Sequence, residues 1–122
     1  MSNQQSFTRI ENELVHEYRR NVSAAESANE VRQHFAHTVC ALLAGASNDG
    51  IRCRHEDVTL QPATAPHYAI SEVVTSLPAF QSVWKDSDLP AILQRLVDPA
   101  VHRIAHLAKH GEKTNSKIFH GR

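Results

Sequence analysis

The chain has 122 residues, enough for one domain with one hydrophobic core and too few for two domains of ordinary size. Its 13 Lys and Arg balance its 13 Asp and Glu, so the overall charge argues neither for nor against a polyanionic partner. Its four glycines form neither a dinucleotide-binding fingerprint nor a P-loop. We therefore expect a single helical domain over residues 1–122 that uses no nucleotide and carries no cofactor.

The sequence shows no sign of export or of membrane insertion. Residues 1–7 are polar and contain no apolar stretch of signal-peptide length. No segment approaches the roughly 20 apolar residues that a membrane-spanning helix needs. We expect a cytoplasmic protein without a membrane partner, in which Cys40 and Cys53 are free thiols rather than a disulfide.

A first amphipathic helix is predicted near the N-terminus. Thr8 and Glu11 have the spacing of a capping box, in which a hydroxyl and a carboxylate satisfy the first free N–H groups of a helix. Apolar residues then recur at intervals of four, beginning with Ile10. The pattern predicts a helix over residues 8–20.

A second helix is predicted to follow after a short interruption. Ser23 and Glu26 repeat the capping-box spacing and precede another apolar stripe that contains Phe35. The stripe ends near residue 44, and Gly45 has the position of a left-handed C-cap. The pattern predicts a helix from Ser23 to about residue 44.

Strand character is confined to residues 51–70. Residues 57–60 and 67–70 are predicted to pair as a small antiparallel hairpin, with Pro62 and Pro66 bracketing the loop between them. Because a two-stranded hairpin is only marginally stable alone, we expect it to lie on the helices.

Helical patterns return in the last third of the chain. A short helix is predicted over residues 78–84, and a longer apolar stripe begins at Leu89. The Asp98–Pro99 pair repeats a cap-then-proline signature, so the helix is expected to stop, kink or restart there. The predicted fold is mainly α, a compact bundle of four to five helices with a small hairpin around residues 51–70.

Positive charge is concentrated at the C-terminal end. Residues 102–122 hold five Lys or Arg and one acid, which gives a net charge of +4 within a neutral chain. At about 100° per residue, histidines and lysines spaced four apart share one face of a helix. If Gly111 ends the helix, residues 112–122 are instead a frayed basic tail. The candidate anion-binding residues are His102, Arg103, His106, Lys109, His110, Lys113 and Lys117.

This stripe supports the main functional hypothesis, a non-catalytic binding or regulatory module that engages an anionic partner. The partner would be an acidic protein surface or a nucleic acid. The alternative is an ordinary solvated face, since the dipole of a helix favours cations at its C-terminal end. The pattern does not indicate an oligomeric state.

Two further hypotheses use the histidines and cysteines. His102, His106 and His110 are spaced so that neighbouring imidazoles could chelate a divalent metal, although no carboxylate or Cys-x-x-Cys motif completes a recognised site. A small enzyme could instead use a thiol with a histidine. Arg52 and Arg54 flank Cys53 and are expected to lower its pKa, whereas Cys40 is expected to be an inert thiol in a helix.

Overall fold

The computed structural model describes the backbone of residues 6–111 and the side chains of residues 6–109. Within these residues the chain forms five α-helices: α1 (Thr8–Ala24), α2 (Ala28–Ala46), α3 (Glu72–Thr75), α4 (Pro78–Trp84) and α5 (Leu89–His106). Strands β1 (Val58–Leu60) and β2 (Tyr68–Ile70) lie between α2 and α3, after a 3-10 turn (His55–Asp57). A π-helical turn (Leu107–Gly111) continues α5. The predicted fold class, a helical bundle with a small hairpin, is confirmed.

The hydrophobic core forms where α2 packs against both α1 and α5. Each fully buried Leu, Ile or Phe side chain contributes about 1.5–3 kcal/mol to folding. No helix in the described part of the chain is both long and apolar enough to cross a membrane. The fully buried side chains include Val31, Phe35, Val39, Leu42 and Leu43 of α2 and Leu89, Ile92 and Leu93 of α5.

The boundary between α1 and α2 lies four residues later than predicted. The Oγ of Ser27 accepts a hydrogen bond from the N–H of Glu30 at 3.1 Å, and the Glu30 carboxylate accepts one from the N–H of Glu26 at 2.6 Å. The Ser23–Glu26 capping box is therefore wrong, and the same spacing at Ser27–Glu30 starts α2. Because α1 continues for another turn, Val22 is buried in the core.

The predicted N-cap of α1 is also wrong, because the cap comes from a distant residue. The carboxylate of Asp88 accepts hydrogen bonds from the Phe7 N–H at 2.8 Å, the Ser6 hydroxyl at 2.9 Å and the Thr8 hydroxyl at 3.1 Å. Thr8 thus donates to Asp88 and is already the first residue of the helix. Asp88 immediately precedes α5 and ties the starts of α1 and α5 together.

A partly buried ion pair joins α1 to α5 one turn further along α1. The Nε and Nη2 atoms of Arg95 each donate to one carboxylate oxygen of Glu11, both at 2.8 Å. The Glu11 side chain is only 9% exposed, whereas that of Arg95 is 50% exposed. A bidentate pair of this kind is strong and directional, and it balances the charge that Glu11 brings into the protein.

Helices α1 and α5 run parallel. Four contacts follow in the same order along both segments: Phe7 with Asp88, Glu11 with Arg95, Tyr18 with Leu96, and Ala25 with Arg103. The N-terminal ends of the two helices therefore lie together, and so do their C-terminal ends.

Gly45 lies inside α2 rather than at its C-cap, so the predicted role is wrong. Helix α2 continues to Ala46, and the left-handed residues are Asn48 and Asp49, with φ of 53° and 66°. A Cβ atom built on Gly45 would lie 3.3 Å from two side-chain atoms of Ile10 in α1. Gly45 therefore permits the close approach of α1 to α2.

Helix α5 continues through Pro99, where the sequence predicts that the helix stops, kinks or restarts. Pro99 has no N–H to donate to the carbonyl of Arg95, and its ring crowds that turn of the helix. The neighbouring carbonyl of Leu96 accepts a hydrogen bond from the buried Tyr18 hydroxyl at 2.5 Å. Burial raises the pKa of Tyr18, so the hydroxyl keeps the proton that it donates.

The hairpin forms and packs on α2, as expected. Val58 pairs with Ile70 and Leu60 with Tyr68 in antiparallel register. Val58 and Leu60 are buried, and the Leu60 carbonyl accepts a hydrogen bond at 2.8 Å from Arg32 of α2. These contacts supply the support that two isolated strands lack.

We predict that Arg95→Ala lowers the free energy of unfolding by about 3 kcal/mol, because the buried carboxylate of Glu11 loses its partner. Glu11→Gln in the Arg95→Ala background should recover part of this loss, since it removes the uncompensated charge. Arg9→Ala is the control, because Arg9 and Glu13 form an exposed pair at 3.9 Å. Urea denaturation measures all three, and equal losses for Arg95→Ala and Arg9→Ala would contradict the assignment.

A second prediction concerns acid stability. Partial burial would raise the pKa of Asp88, but the hydrogen bonds that its carboxylate accepts outweigh this effect and lower the pKa below its ordinary 3.8. The stabilisation is therefore present above about pH 4 and is lost as the pH falls through the lowered value. We expect Asp88→Ala to cost about 1 kcal/mol at pH 7 and progressively less below pH 4. Unfolding titrations at several pH values test this, with Glu17→Ala as the control.

Candidate anion-binding cleft

A cleft of about 430 Å³ opens between the C-terminal ends of α1 and α5. It lies beyond the contact between Tyr18 and Leu96, where the two parallel helices end side by side. Helix α1 contributes a hydroxyl to its wall, and α5 contributes two imidazoles, a guanidinium and a carboxylate. The lining residues are Val22, Ser23, Asp98, Pro99, His102, Arg103 and His106.

Arg103 of α5 holds the C-terminal end of α1 in place beside the cleft. Its Nε and Nη2 atoms donate to the carbonyl oxygen of Ala25 at 3.1 and 2.7 Å. Ala25 is the C-cap residue of α1, where helix carbonyls lack partners within the helix. Arg103 thus satisfies the end of α1, and part of its donor capacity is used by the fold.

The two imidazoles in the cleft are more accessible. His102 and His106 lie one helical turn apart, and both are exposed. They stand in the last turns of α5. The His102 ring and the Ser23 hydroxyl can donate hydrogen bonds to an oxyanion that enters the cleft.

A second groove, of about 440 Å³, extends this basic surface across α1. His16, Arg19 and Arg20 line this groove, and all three are exposed. The two grooves share Ser23, so they form one continuous surface, which we call the α1–α5 basic surface. The sequence pattern did not indicate the α1 half of this surface, although Arg19 and Arg20 follow His16 at helical spacing.

The remaining predicted residues lie along the end of the described chain. Lys109 is exposed in the π-helical turn after α5, and Gly111 belongs to the same turn. The backbone of His110 is described but its side chain is not. Lys113, Lys117 and the rest of residues 112–122 lie outside the described residues, so the predicted stripe can be followed only as far as Lys109.

Asp98 sets a limit on what the cleft can bind. It lies four residues before His102 and is the one acidic side chain among the described residues that line either groove. Its carboxylate repels an anion electrostatically and attracts the neighbouring cations. The cleft therefore offers a mixed environment in which an anion must outweigh one fixed negative charge.

The metal hypothesis receives no support from the described residues. Among them, no three His, Cys, Asp or Glu side chains are close enough to hold one ion. His102 and His106 supply two neighbouring imidazoles, and the side chain of His110 lies outside the described part. A site that needs His110 is therefore still a prediction.

We predict that Arg103→Gln lowers the free energy of unfolding by about 1 kcal/mol, because the Ala25 carbonyl loses its charged donor. His102→Gln is the matched control from the next position along the cleft, and its exposed side chain should change stability by less than about 0.5 kcal/mol. Urea denaturation separates the two variants. Equal effects would contradict the anchoring role of Arg103.

No protein-family model matches this chain, and comparisons with curated proteins and with solved structures also found no match.

Proposed function

We propose that the protein is a non-catalytic binding module that uses the α1–α5 basic surface to engage an acidic segment of another protein. The observation that carries the proposal is the cleft between α1 and α5, which His102, His106 and Ser23 line together. The cations of α1 adjoin this cleft and extend the same surface. Arg19 and Arg20 line the adjoining groove, and cations around a concave site raise the local concentration of an anionic partner.

The mixture of lining groups favours an acidic peptide over a nucleic acid. Val22 and Pro99 give the cleft an apolar wall beside its donors, which suits a carboxylate carried on an aliphatic side chain. In the described part of the chain no Phe, Tyr or Trp ring lines either groove, although proteins that bind single-stranded nucleic acid use such rings to stack bases. A nucleic acid partner, which the sequence pattern equally allows, is therefore the second candidate.

The proposal includes a cytoplasmic location, which the sequence also favours. Both cysteines are free thiols, which is the usual state in a reducing compartment.

The binding test uses the full chain and fluorescently labelled probes: a peptide rich in Asp and Glu, a single-stranded oligonucleotide and a duplex. We expect the peptide to bind most tightly, with an affinity that falls as salt is raised from about 50 to 200 mM. Arg19→Gln with Arg20→Gln should weaken peptide binding about threefold to tenfold, and so should His102→Gln with His106→Gln. Asp98→Asn should strengthen it, because the opposing charge is removed.

The control removes two positive charges elsewhere. Arg54 and Lys85 are exposed and line neither groove, so Arg54→Gln with Lys85→Gln should leave the affinity nearly unchanged. If the control weakens binding as much as the groove variants, the attraction is general and the proposed surface is wrong. Tighter binding to an oligonucleotide than to the peptide would make nucleic acid the partner class.

A further inference from the structure

The two cysteines of the chain are in contact with each other, and neither belongs to the helices that form the α1–α5 basic surface. Cys40 lies in the second half of α2, and Cys53 lies in the loop that leads from α2 to the hairpin. Their sulfur atoms are 2.9 Å apart and in hydrogen-bond contact. A disulfide bond is about 2.05 Å long, so a small side-chain movement brings the sulfurs to bonding distance.

Hydrogen bonds fix the first part of the loop between the cysteines to the last turn of α2. The Ser47 hydroxyl donates to the Leu43 carbonyl at 2.7 Å and accepts from the Ile51 N–H at 2.9 Å. The Asp49 N–H donates to the Ala44 carbonyl at 2.7 Å, and the Ile51 side chain is buried in the core. The chain is therefore held firmly two residues before Cys53.

The loop is fixed again just after Cys53. The Asp57 carboxylate accepts from the Arg54 N–H at 3.0 Å, while the Asp57 N–H donates to the Arg54 carbonyl at 2.9 Å. The Asp57 carbonyl in turn accepts from the Ser71 N–H at 2.7 Å, next to the hairpin. Because both flanks are anchored, the contact between Cys40 and Cys53 is a property of the folded chain.

The pair is open to small molecules. A cleft of about 460 Å³ lies over it, and both cysteines are partly exposed. Polar groups from Asp49 and Arg52 line the entrance. A reagent the size of hydrogen peroxide can therefore reach the sulfur atoms without unfolding of the chain.

The two thiols differ in acidity, in the opposite sense to the sequence expectation. In the structure the Cys40 thiol donates to the Cys53 sulfur, and the Cys53 thiol donates to the Arg54 carbonyl at 3.6 Å. Once Cys40 loses its proton, Cys53 can donate to the thiolate across the same contact, which lowers the pKa of Cys40. The same hydrogen bond, together with burial, raises the pKa of Cys53. The side chain of Arg54 instead faces the Glu56 carboxylate at 3.9 Å. Cys40 is therefore assigned as the thiol that ionises first, with Cys53 as its partner across the 2.9 Å contact.

Metal binding does not explain the pair. The rings of His37 and His55 lie near each other, with centroids 5.5 Å apart in a T-shaped arrangement. Nevertheless, in the described part of the chain no third His, Cys, Asp or Glu completes a site for an ion. Two apposed thiols with an open approach are suited to redox chemistry.

From this geometry we propose that Cys40 and Cys53 form a peroxide-responsive site that closes to an intramolecular disulfide. The Cys40 thiolate attacks one oxygen of a hydroperoxide such as hydrogen peroxide, and the O–O bond breaks. Cys40 becomes a sulfenic acid, and the departing hydroxide takes a proton from solvent to form water. Cys53 then attacks the sulfenic sulfur, the S–S bond forms, and the S–OH oxygen leaves as a second water with the proton of the Cys53 thiol.

The cycle is closed by a cellular dithiol. One of its thiolates attacks the disulfide to give a mixed disulfide, and its second thiol resolves that bond. The dithiol loses two electrons and two protons, and Cys40 and Cys53 regain them. The site therefore needs two co-substrates, a hydroperoxide as oxidant and a dithiol as reductant.

The first test uses the reduced full-length chain, treated with equimolar hydrogen peroxide and analysed by intact-mass spectrometry. We expect a monomeric product about 2 Da lighter, with no free thiol, that dithiothreitol reverses. The disulfide closes a loop of roughly 14 residues and should raise the Tm by about 10 °C. Products that are only disulfide-linked dimers, or thiols that persist after the treatment, would overturn the proposal.

Single variants test the order of the steps. Cys53→Ser should stop at a Cys40 sulfenic acid, detected as a gain of about 16 Da or as a dimedone adduct. Cys40→Ser leaves the less acidic thiol and should react about tenfold more slowly. Equal rates for the two variants would contradict the assignment of Cys40 as the attacking thiol.

Two substitutions at Cys53 test whether its hydrogen bond to Cys40, rather than its size, lowers the pKa of Cys40. The Cys53→Ser variant keeps a hydroxyl that can donate to the Cys40 thiolate, whereas Cys53→Ala removes the donor at similar size. Alkylation of Cys40 by iodoacetamide at a series of pH values should therefore give a higher pKa in Cys53→Ala than in Cys53→Ser. The same pKa in both variants would show that the hydrogen bond does not activate Cys40.

Discussion

The structure depends first on the ion pair between Glu11 and Arg95. A carboxylate that is 9% exposed is stable only when its charge is balanced and its oxygens are hydrogen-bonded, and Arg95 supplies both through two 2.8 Å contacts. The geometry of a bidentate pair permits little sliding or rotation, so it sets the register of α1 on α5. Asp88 fixes the same register one turn earlier by accepting three hydrogen bonds from the start of α1. Apolar packing stabilises the bundle, but these directional contacts select one parallel alignment of the two helices.

The cleft at the other end follows from that alignment. Beyond the Tyr18–Leu96 hydrogen bond, the last turn of α1 is held to α5 by Arg103, which donates to the Ala25 carbonyl. Tyr18 and Arg103 are long side chains that reach backbone carbonyls, so they span a separation that short apolar side chains would not fill. The space between them is open to solvent, and the exposed imidazoles of His102 and His106 border it.

Local periodicity predicted most of the elements but little of what joins them. The α4 range and the hairpin are as expected, because their patterns contain both the apolar face and the turn residues. Capping was mispredicted because a Ser or Thr three residues before a Glu occurs at Thr8, Ser23 and Ser27, and only tertiary contacts decide which one starts a helix. The side of α1 that adjoins the cleft could not be identified before the parallel pairing was known. The meeting of Cys40 and Cys53 depends on the left-handed turn at Asn48 and Asp49, which the glycine-based prediction placed at Gly45.

The parallel arrangement also bears on why the basic surface exists. Two helices that end side by side combine the partial negative charges of their C-termini, and a cation in the last turn, such as Arg103 of α5, is favourable there even with no ligand bound. At the opposite end, Asp88 and Glu11 stand beside two positive helix N-termini for the same reason.

Helix dipoles therefore account for the sign of the charge at each end of the helix pair, but they do not account for the shape of the cleft. They do not require a concave wall in which imidazoles, a hydroxyl and apolar groups face one space, and they do not favour the placement of Asp98 among the cations. The shape of the cleft, rather than its positive charge, is thus the feature that distinguishes a binding site from an ordinary solvated helix end.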